Sequence, residues 1–178
     1  MGDVRSVGAD AARQAGRIRT DLLGIYLNDH LAGSTVGSRR AAYLARSLRG
    51  SPLGAPLQPI AAEIAEDREA LLRLMRRLGV PARRYKTWAA GALELAGRLK
   101  PNGRLVGRSP LTTLVELELL RLGVEGKAAG WRTLRLVADS DARLDPEQLD
   151  QLIERAVRQL RTLEDLRLRQ SRETFLAG

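Results

Sequence analysis

The sequence has no cysteine and only one histidine, His30, and these two shortages exclude several classes of protein. Without cysteine the chain has no disulfide, no thiolate metal site and no cysteine nucleophile. A zinc site built from several imidazoles is excluded as well, because only one imidazole is available. Any metal or catalytic site must therefore depend mainly on other side chains.

Aromatic residues are also scarce, at 3% of the chain, and β-branched residues are few. Alanine, leucine, arginine and glutamate dominate instead, which is typical of long packed helices and not of strands. The length of 178 residues is usual for one domain with one core. The composition therefore predicts a single all-α domain.

Long uncharged apolar runs are absent too. No stretch approaches the roughly 18 apolar residues of a membrane span, and the first residues have no apolar core of signal-peptide length. We therefore expect a cytoplasmic protein with no transmembrane segment. The formal charge is +9 and is carried almost wholly by arginine. Abundant arginine and alanine suggest a GC-rich bacterial genome, so we expect part of this charge to reflect codon usage.

Positive charge is concentrated between residues 82 and 108, where Glu94 is the only acidic residue. The basic residues there are Arg83, Arg84, Lys86, Arg98, Lys100, Arg104 and Arg108. Together with Trp88 they suggest an anionic partner, either nucleic acid or a membrane surface. In the alternative interpretation, which we favour, Trp88 closes one side of the core while the charges face water.

Helix boundaries are well marked in this sequence. Asp145-Pro146 and Ser109-Pro110 each combine a capping residue with a first-turn proline, while Gly79 and Pro81 end a helix. We predict four long helices, at about Thr20 to Leu48, Leu57 to Leu78, Pro110 to Val137 and Pro146 to Glu173. A shorter helix is expected from Lys86 to Leu99. Residues 1–19 are an N-terminal extension or the start of the first helix, and residues 20–178 form one bundle domain.

The lengths of the connections predict the topology. Short loops join the first helix to the second and the third to the fourth, so each pair should be an antiparallel hairpin. About thirty residues separate the second and third helices, enough to return along the whole bundle. The second and third helices should therefore be parallel, in an all-α four-helix up-down bundle with a long crossover that carries a short helix.

Apolar residues at alternating spacings of three and four predict the face that each helix buries. For the second helix the face is Leu57, Ile60, Ile64, Asp67, Leu71, Leu74 and Leu78. For the fourth it is Leu149, Leu152, Ala156, Gln159, Leu163 and Leu166. For the first it is Leu23, Tyr26, His30, Gly33, Gly37, Leu44 and Leu48. For the third it is Leu111, Val115, Glu118, Leu122, Glu125 and Ala129. Each predicted core face contains a polar residue.

This helix order, with acidic residues in the core faces, resembles the ferritin-like superfamily over roughly residues 20 to 173. The di-metal proteins of that superfamily carry a Glu on two helices and a Glu-x-x-His pair on the other two. This chain departs from that pattern, because Leu27 stands three residues before His30 and no other histidine exists. The departure puts the usual di-iron chemistry in doubt.

A rough register places Asp67 level with Glu118, and His30 nearer to Glu125. Two buried carboxylates need a cation, a shared proton or hydrogen-bond donors. A hard metal ion is one hypothesis, with the candidate ligands Glu63, Asp67, Glu118, Glu125 and His30. The structural alternative, which we favour, is an arginine from a neighbouring helix beside the carboxylates, with His30 and Glu125 forming a core pair.

Two groups of glycines lie at helical spacing, Gly33 with Gly37 and Gly123 with Gly126 and Gly130. They leave either room for a ligand or, as we favour, room for close approach of two helix backbones. Trp131 is expected in the core.

The leading functional hypothesis is a non-catalytic ferritin-like bundle that acts as a binding or assembly module, self-associates as a homo-oligomer and needs no cofactor. One alternative is a metal-dependent oxidase or ferroxidase-like protein that uses iron or manganese at an atypical carboxylate site. The other is an anion binder that works through the basic crossover 82–108.

Overall fold

The computed structural model describes residues 18–83 and 109–176, which form four long α-helices and one turn of 3-10 helix. The helices are α1 (Thr20–Ser47), α2 (Gly54–Leu78), α3 (Pro110–Val137) and α4 (Pro146–Phe175), and the 3-10 turn is Ala138–Ser140. The described ranges contain no strand. The all-α four-helix prediction is confirmed, and the helix ends lie close to the predicted ones. The predicted helix from Lys86 to Leu99 falls outside the described residues.

Local signals in the sequence explain where the helices begin and end. The Asp145 side chain accepts hydrogen bonds from the backbone N–H groups of Glu147 and Gln148, at 3.0 and 3.2 Å. It therefore caps α4, with Pro146 at the first helical position. At the end of α2, Gly79 has a φ of 71°, a left-handed conformation that glycine adopts without a Cβ penalty.

Contacts between the helices establish their directions. In the first hairpin Thr35 of α1 lies beside Arg68 of α2, and Ala45 lies beside Gln58, so residue numbers rise on one helix as they fall on the other. α3 and α4 pack against each other in the same antiparallel way along their length. Both predicted hairpins are confirmed.

The two hairpins meet through α1 with α3 and through α2 with α4. Tyr26 bonds to Thr133 near one end of the bundle, and Arg40 pairs with Glu116 nearer the other end. α1 is therefore antiparallel to α3 as well as to α2. It follows that α2 and α3 point in the same direction, as predicted, and lie diagonally opposite each other.

The buried faces of α2 and α4 are those that the sequence predicts, since every predicted residue of both seams is buried. The predicted face of α3 is wrong. Leu117, Leu120 and Val124 are buried there, whereas Leu122 is 62% exposed and the Glu118 side chain 46% exposed. α3 has apolar residues on two sides, so spacing alone selects the wrong one. Trp131 is buried, as predicted.

The predicted face of α1 is partly wrong for the same reason. Leu44 and Leu48 are buried as predicted, but the other buried residues of α1 are Leu27, Asn28, Leu31, Ala41 and Ala45. The polar and small residues predicted there lie at the edge that faces α3 or towards solvent. In the described ranges, no helix is both long enough and apolar enough to cross a membrane.

The close approach of two helix backbones predicted at the five glycines is not found at any of them. A Cβ added at Gly33, Gly37, Gly123 or Gly126 would meet no atom within 4 Å. At Gly130 it would lie 3.0 Å from Cε1 of His30. Gly130 therefore makes room for a side chain of α1, while the other four glycines carry no such contact.

Candidate functional site

The most polar region of the described core surrounds Asp67, whose side chain is fully buried in the middle of α2. Its Oδ2 lies 2.5 Å from Nζ of Lys127, which reaches across the bundle from α3. Lys127 Nζ also donates to Oε1 of Gln159 on α4, at 2.6 Å. The lysine side chain is only 13% exposed, so its charge is held almost entirely by these two oxygens.

A second cation approaches the same carboxylate from α4. Arg155 Nη1 lies 3.2 Å from Oδ1 of Asp67 and 2.9 Å from Oε2 of Glu66. The amide of Gln159 donates to Oε2 of Glu63, at 2.8 Å. We call this group the Asp67 cluster: Glu63, Glu66, Asp67, Lys127, Arg155 and Gln159.

The electrostatics of the Asp67 cluster are those of a buried ion-pair network. Burial lowers the pKa of Lys127, because the charged ammonium loses hydration, while the charge and hydrogen bond of Asp67 oppose that shift. One carboxylate oxygen of Asp67 pairs with Lys127, and the other pairs with Arg155. A buried carboxylate needs such partners, and here two side chains supply them.

Only two of the five candidate metal ligands come together. Glu63 and Asp67 both bond to Gln159. Glu118 lies on the other side of α3, where it faces Arg167 at 3.8 Å, and Glu125 pairs with Arg132 at 3.4 Å. The register prediction that placed Glu118 beside Asp67 is therefore wrong, because α3 turns a different face to the core. Residues 18–83 and 109–176 contain no group of three or more potential metal ligands.

His30 lies between α1 and α3, away from the Asp67 cluster. Its ring meets that of Tyr26 edge-on, with 4.5 Å between centroids, and covers Gly130. Burial lowers the pKa of His30, and the nearby charge of Asp29 opposes the shift. The predicted pair with Glu125 is absent from the described contacts of His30. The histidine instead fills space between the two helices.

Lys127 is the residue that the sequence interpretation missed. It is the only lysine in the described residues, where every other strong cation is arginine. That exception is a usable signal, because a slim ammonium fits a narrow interior position more easily than a planar guanidinium. The pair of Arg40 with the buried Glu116 was missed for a different reason, since Glu116 lies outside the predicted core face of α3.

Comparison with known proteins identifies no relative: no family model, no curated protein and no solved structure matches this chain.

The predicted anion-binding residues lie almost entirely outside the described ranges. Arg83 is described, and its backbone N–H donates to Oδ1 of Asn28 at 2.7 Å. Asn28 also donates to the carbonyl of Pro81, so it holds the chain that leaves α2 against α1. The other six lie in the segment that the structure does not describe: Arg84, Lys86, Arg98, Lys100, Arg104 and Arg108.

A groove of about 840 Å³ runs over α2, between α1 on one side and α4 on the other. Its charged lining residues are Arg39, Arg68, Arg73, Arg155, Glu66 and Glu69. Arg155 and Glu66 belong to the Asp67 cluster, so the groove opens next to it. Its volume is within the range of small-molecule sites.

Large apolar side chains are exposed on the outer sides of α1 and α3. On α1, Leu22, Ile25, Val36 and Tyr43 are each about half exposed. On α3, Leu122 and Leu136 are 62% and 83% exposed. Tyr26 Oη donates to Oγ1 of Thr133 at 3.2 Å, which joins the edges of the two helices. We call these six apolar residues the α1–α3 flank.

Proposed function

We propose that this chain is a non-catalytic bundle of ferritin-like helix order that works as an assembly module by associating with copies of itself. The observation that carries the proposal is the α1–α3 flank. Single exposed apolar residues are common on protein surfaces. A series of them along two neighbouring helices is instead typical of a surface that another protein covers.

The spacing within the flank places its residues in a stripe along each of the two helices. Ile25, Val36 and Tyr43 are separated by 11 and 7 residues, so they lie on one side of α1. Leu122 and Leu136 are separated by 14 residues and share one side of α3 in the same way. α1 and α3 are neighbours in the bundle, so the two stripes lie on adjacent helices.

The contacts within the Asp67 cluster support a structural role, and not a catalytic one, for the polar residues of the interior. In ferritin-like di-metal proteins, carboxylates in the middle of the bundle bind the metals. Here Lys127 Nζ lies 2.5 Å from one oxygen of Asp67, and Arg155 lies 3.2 Å from the other. The cluster thus places protein cations where a metal ion would otherwise compensate the carboxylate.

The experiment is a measurement of mass in solution for the full chain across a wide range of concentrations. We expect a species heavier than the 19.5 kDa monomer, which dissociates on dilution. Leu136→Glu should weaken this association without touching the core, because Leu136 is 83% exposed. Leu168→Glu on α4 is the matched control, since Leu168 is exposed but lies outside the flank. A monomer at every concentration would contradict the proposal.

A second candidate function is binding of a small anion in the groove over α2. Four arginines and two glutamates line it, and neither Arg39 nor Arg73 has a hydrogen-bonded or ionic partner among the described residues. The test is a calorimetric titration with inorganic pyrophosphate at low and high salt. Arg73→Ala should abolish binding while Arg76→Ala, outside the groove, should not. Binding that is unchanged by salt or by Arg73→Ala would contradict this function.

A further inference from the structure

The outer face of α1 has a symmetric residue pattern. Its residues at helical spacing, separated by 4, 3, 4, 3 and 4 positions, are Ile25, Asp29, Ala32, Val36, Arg39 and Tyr43. These intervals read the same from either end, and Ser34 marks the midpoint. Residues at such spacing lie on one side of a helix, so these six residues form a symmetric pattern on the surface of α1.

The two charged residues on this face favour one relative orientation of two paired α1 helices. Asp29 and Arg39 stand five positions on either side of Ser34, one acidic and one basic. Within the described ranges, neither side chain makes a hydrogen bond or an ion pair. A parallel pairing of two α1 helices would place Asp29 against Asp29 and Arg39 against Arg39. An antiparallel pairing places each against its opposite charge.

We infer that a second copy of this chain packs antiparallel along α1, about a two-fold axis at the level of Ser34. Ile25 then faces the partner's Tyr43, and Asp29 faces the partner's Arg39. Ala32 faces the partner's Val36 next to the axis, and each contact occurs twice. This inference rests on the proposed self-association and names the surface and geometry by which it occurs.

The centre of the pattern is small, which allows two helices to approach closely. Ala32, whose side chain is a single methyl group, lies next to the axis. Close packing therefore has room at the crossing point, while the larger Ile25 and Tyr43 side chains lie near the ends.

The size of this surface predicts a weak dimer. From Ile25 to Tyr43 the helix rises about 27 Å, and a single helix pair of that length is at the small end of specific interfaces. The α3 part of the flank can enlarge the contact, because Leu122 and Leu136 are exposed on the neighbouring helix. We therefore expect association that depends strongly on protein concentration.

The test is charge reversal in the full chain, followed by sedimentation equilibrium. Asp29→Arg and Arg39→Asp should each raise the dimer dissociation constant at least about tenfold, because each creates two like-charge contacts. The double variant, which exchanges the two charges, should return the constant to within about threefold of the native value. Asp165→Arg, an exposed change on α4, is the matched control and should leave the constant unchanged.

Disulfide cross-linking then tests the direction of packing. Because the chain has no native cysteine, every disulfide formed must join introduced cysteines. A mixture of Ala32→Cys protein with Val36→Cys protein should form disulfide-linked dimers faster than either protein alone. Faster linking of each variant with itself would indicate a different geometry and would overturn the inference.

The outcomes separate this inference from the function on which it rests. A dimer that is insensitive to both charge reversals would overturn the α1 geometry and leave self-association standing. A monomer at every concentration would overturn both, and the occupant of the flank would then be sought in segment 84–108 or in another protein.

Discussion

Lys127 on α3 and Asp67 on α2 are joined by a contact of 2.5 Å, although their helices lie diagonally opposite in the bundle. The lysine therefore spans the interior instead of bridging two adjacent helices. Gln159 of α4 accepts from the same ammonium group, so one cation connects three helices. This contact is the centre of the buried polar network.

Lys127→Met should destabilise the fold by about 3 kcal/mol, because it removes one of the two cations from a fully buried carboxylate. Urea unfolding followed by circular dichroism measures the change. The double variant Asp67→Leu/Lys127→Met is the control and should recover most of the loss, since an apolar pair leaves no buried charge. If the single variant is as stable as the native protein, the buried pair does not contribute as described.

Stability should fall as the pH drops below about 6.5, in part through His30. Burial lowers the pKa of His30 in the folded protein, so the unfolded chain binds the extra proton first and is favoured as the pH falls. The folded state regains this stability as the pH rises to the ordinary value for histidine. Unfolding free energies at pH 5 and pH 8 should differ less in His30→Gln than in the native protein. An equal difference in both proteins would assign the pH dependence to other groups.

Gly130→Ala should be less stable than Gly126→Ala by at least about 1 kcal/mol. A Cβ at Gly130 meets the His30 ring at 3.0 Å, which forces the ring to shift, whereas a Cβ at Gly126 meets nothing. Both changes relieve the same cost of glycine within α3, so the comparison isolates the contact. Thermal unfolding of the pair is sufficient, and equal stabilities would show that His30 moves freely.

Purified protein should contain neither iron nor manganese in stoichiometric amounts, because Lys127 and Arg155 already compensate Asp67. Elemental analysis and an aerobic ferrous titration followed by absorbance measure this. Saturable oxidation would instead support the oxidase alternative. In that case Asp67→Ala should abolish metal uptake, while Glu118→Ala, on the exposed side of α3, should not.

Most of the helical framework follows from local chemistry, which is why sequence alone was sufficient for it. Asp145 and Pro146 begin α4, and Gly79 ends α2, because capping and backbone conformation are properties of a few adjacent residues. The seams of α2 and α4 could also be predicted, since their other sides are strongly polar and leave one choice of buried face.

The candidate site depended on tertiary structure. α3 has apolar residues on two sides, and only packing against α1 and α4 decides that Leu117 is buried and Leu122 exposed. That choice moves Glu118 away from Asp67 and brings Lys127 to it. Sequence by itself determined four helices, their order and a buried carboxylate in α2. Which charge meets that carboxylate was decided by the rotation of α3 about its own axis, because long-range packing energy, and no local signal, sets that angle.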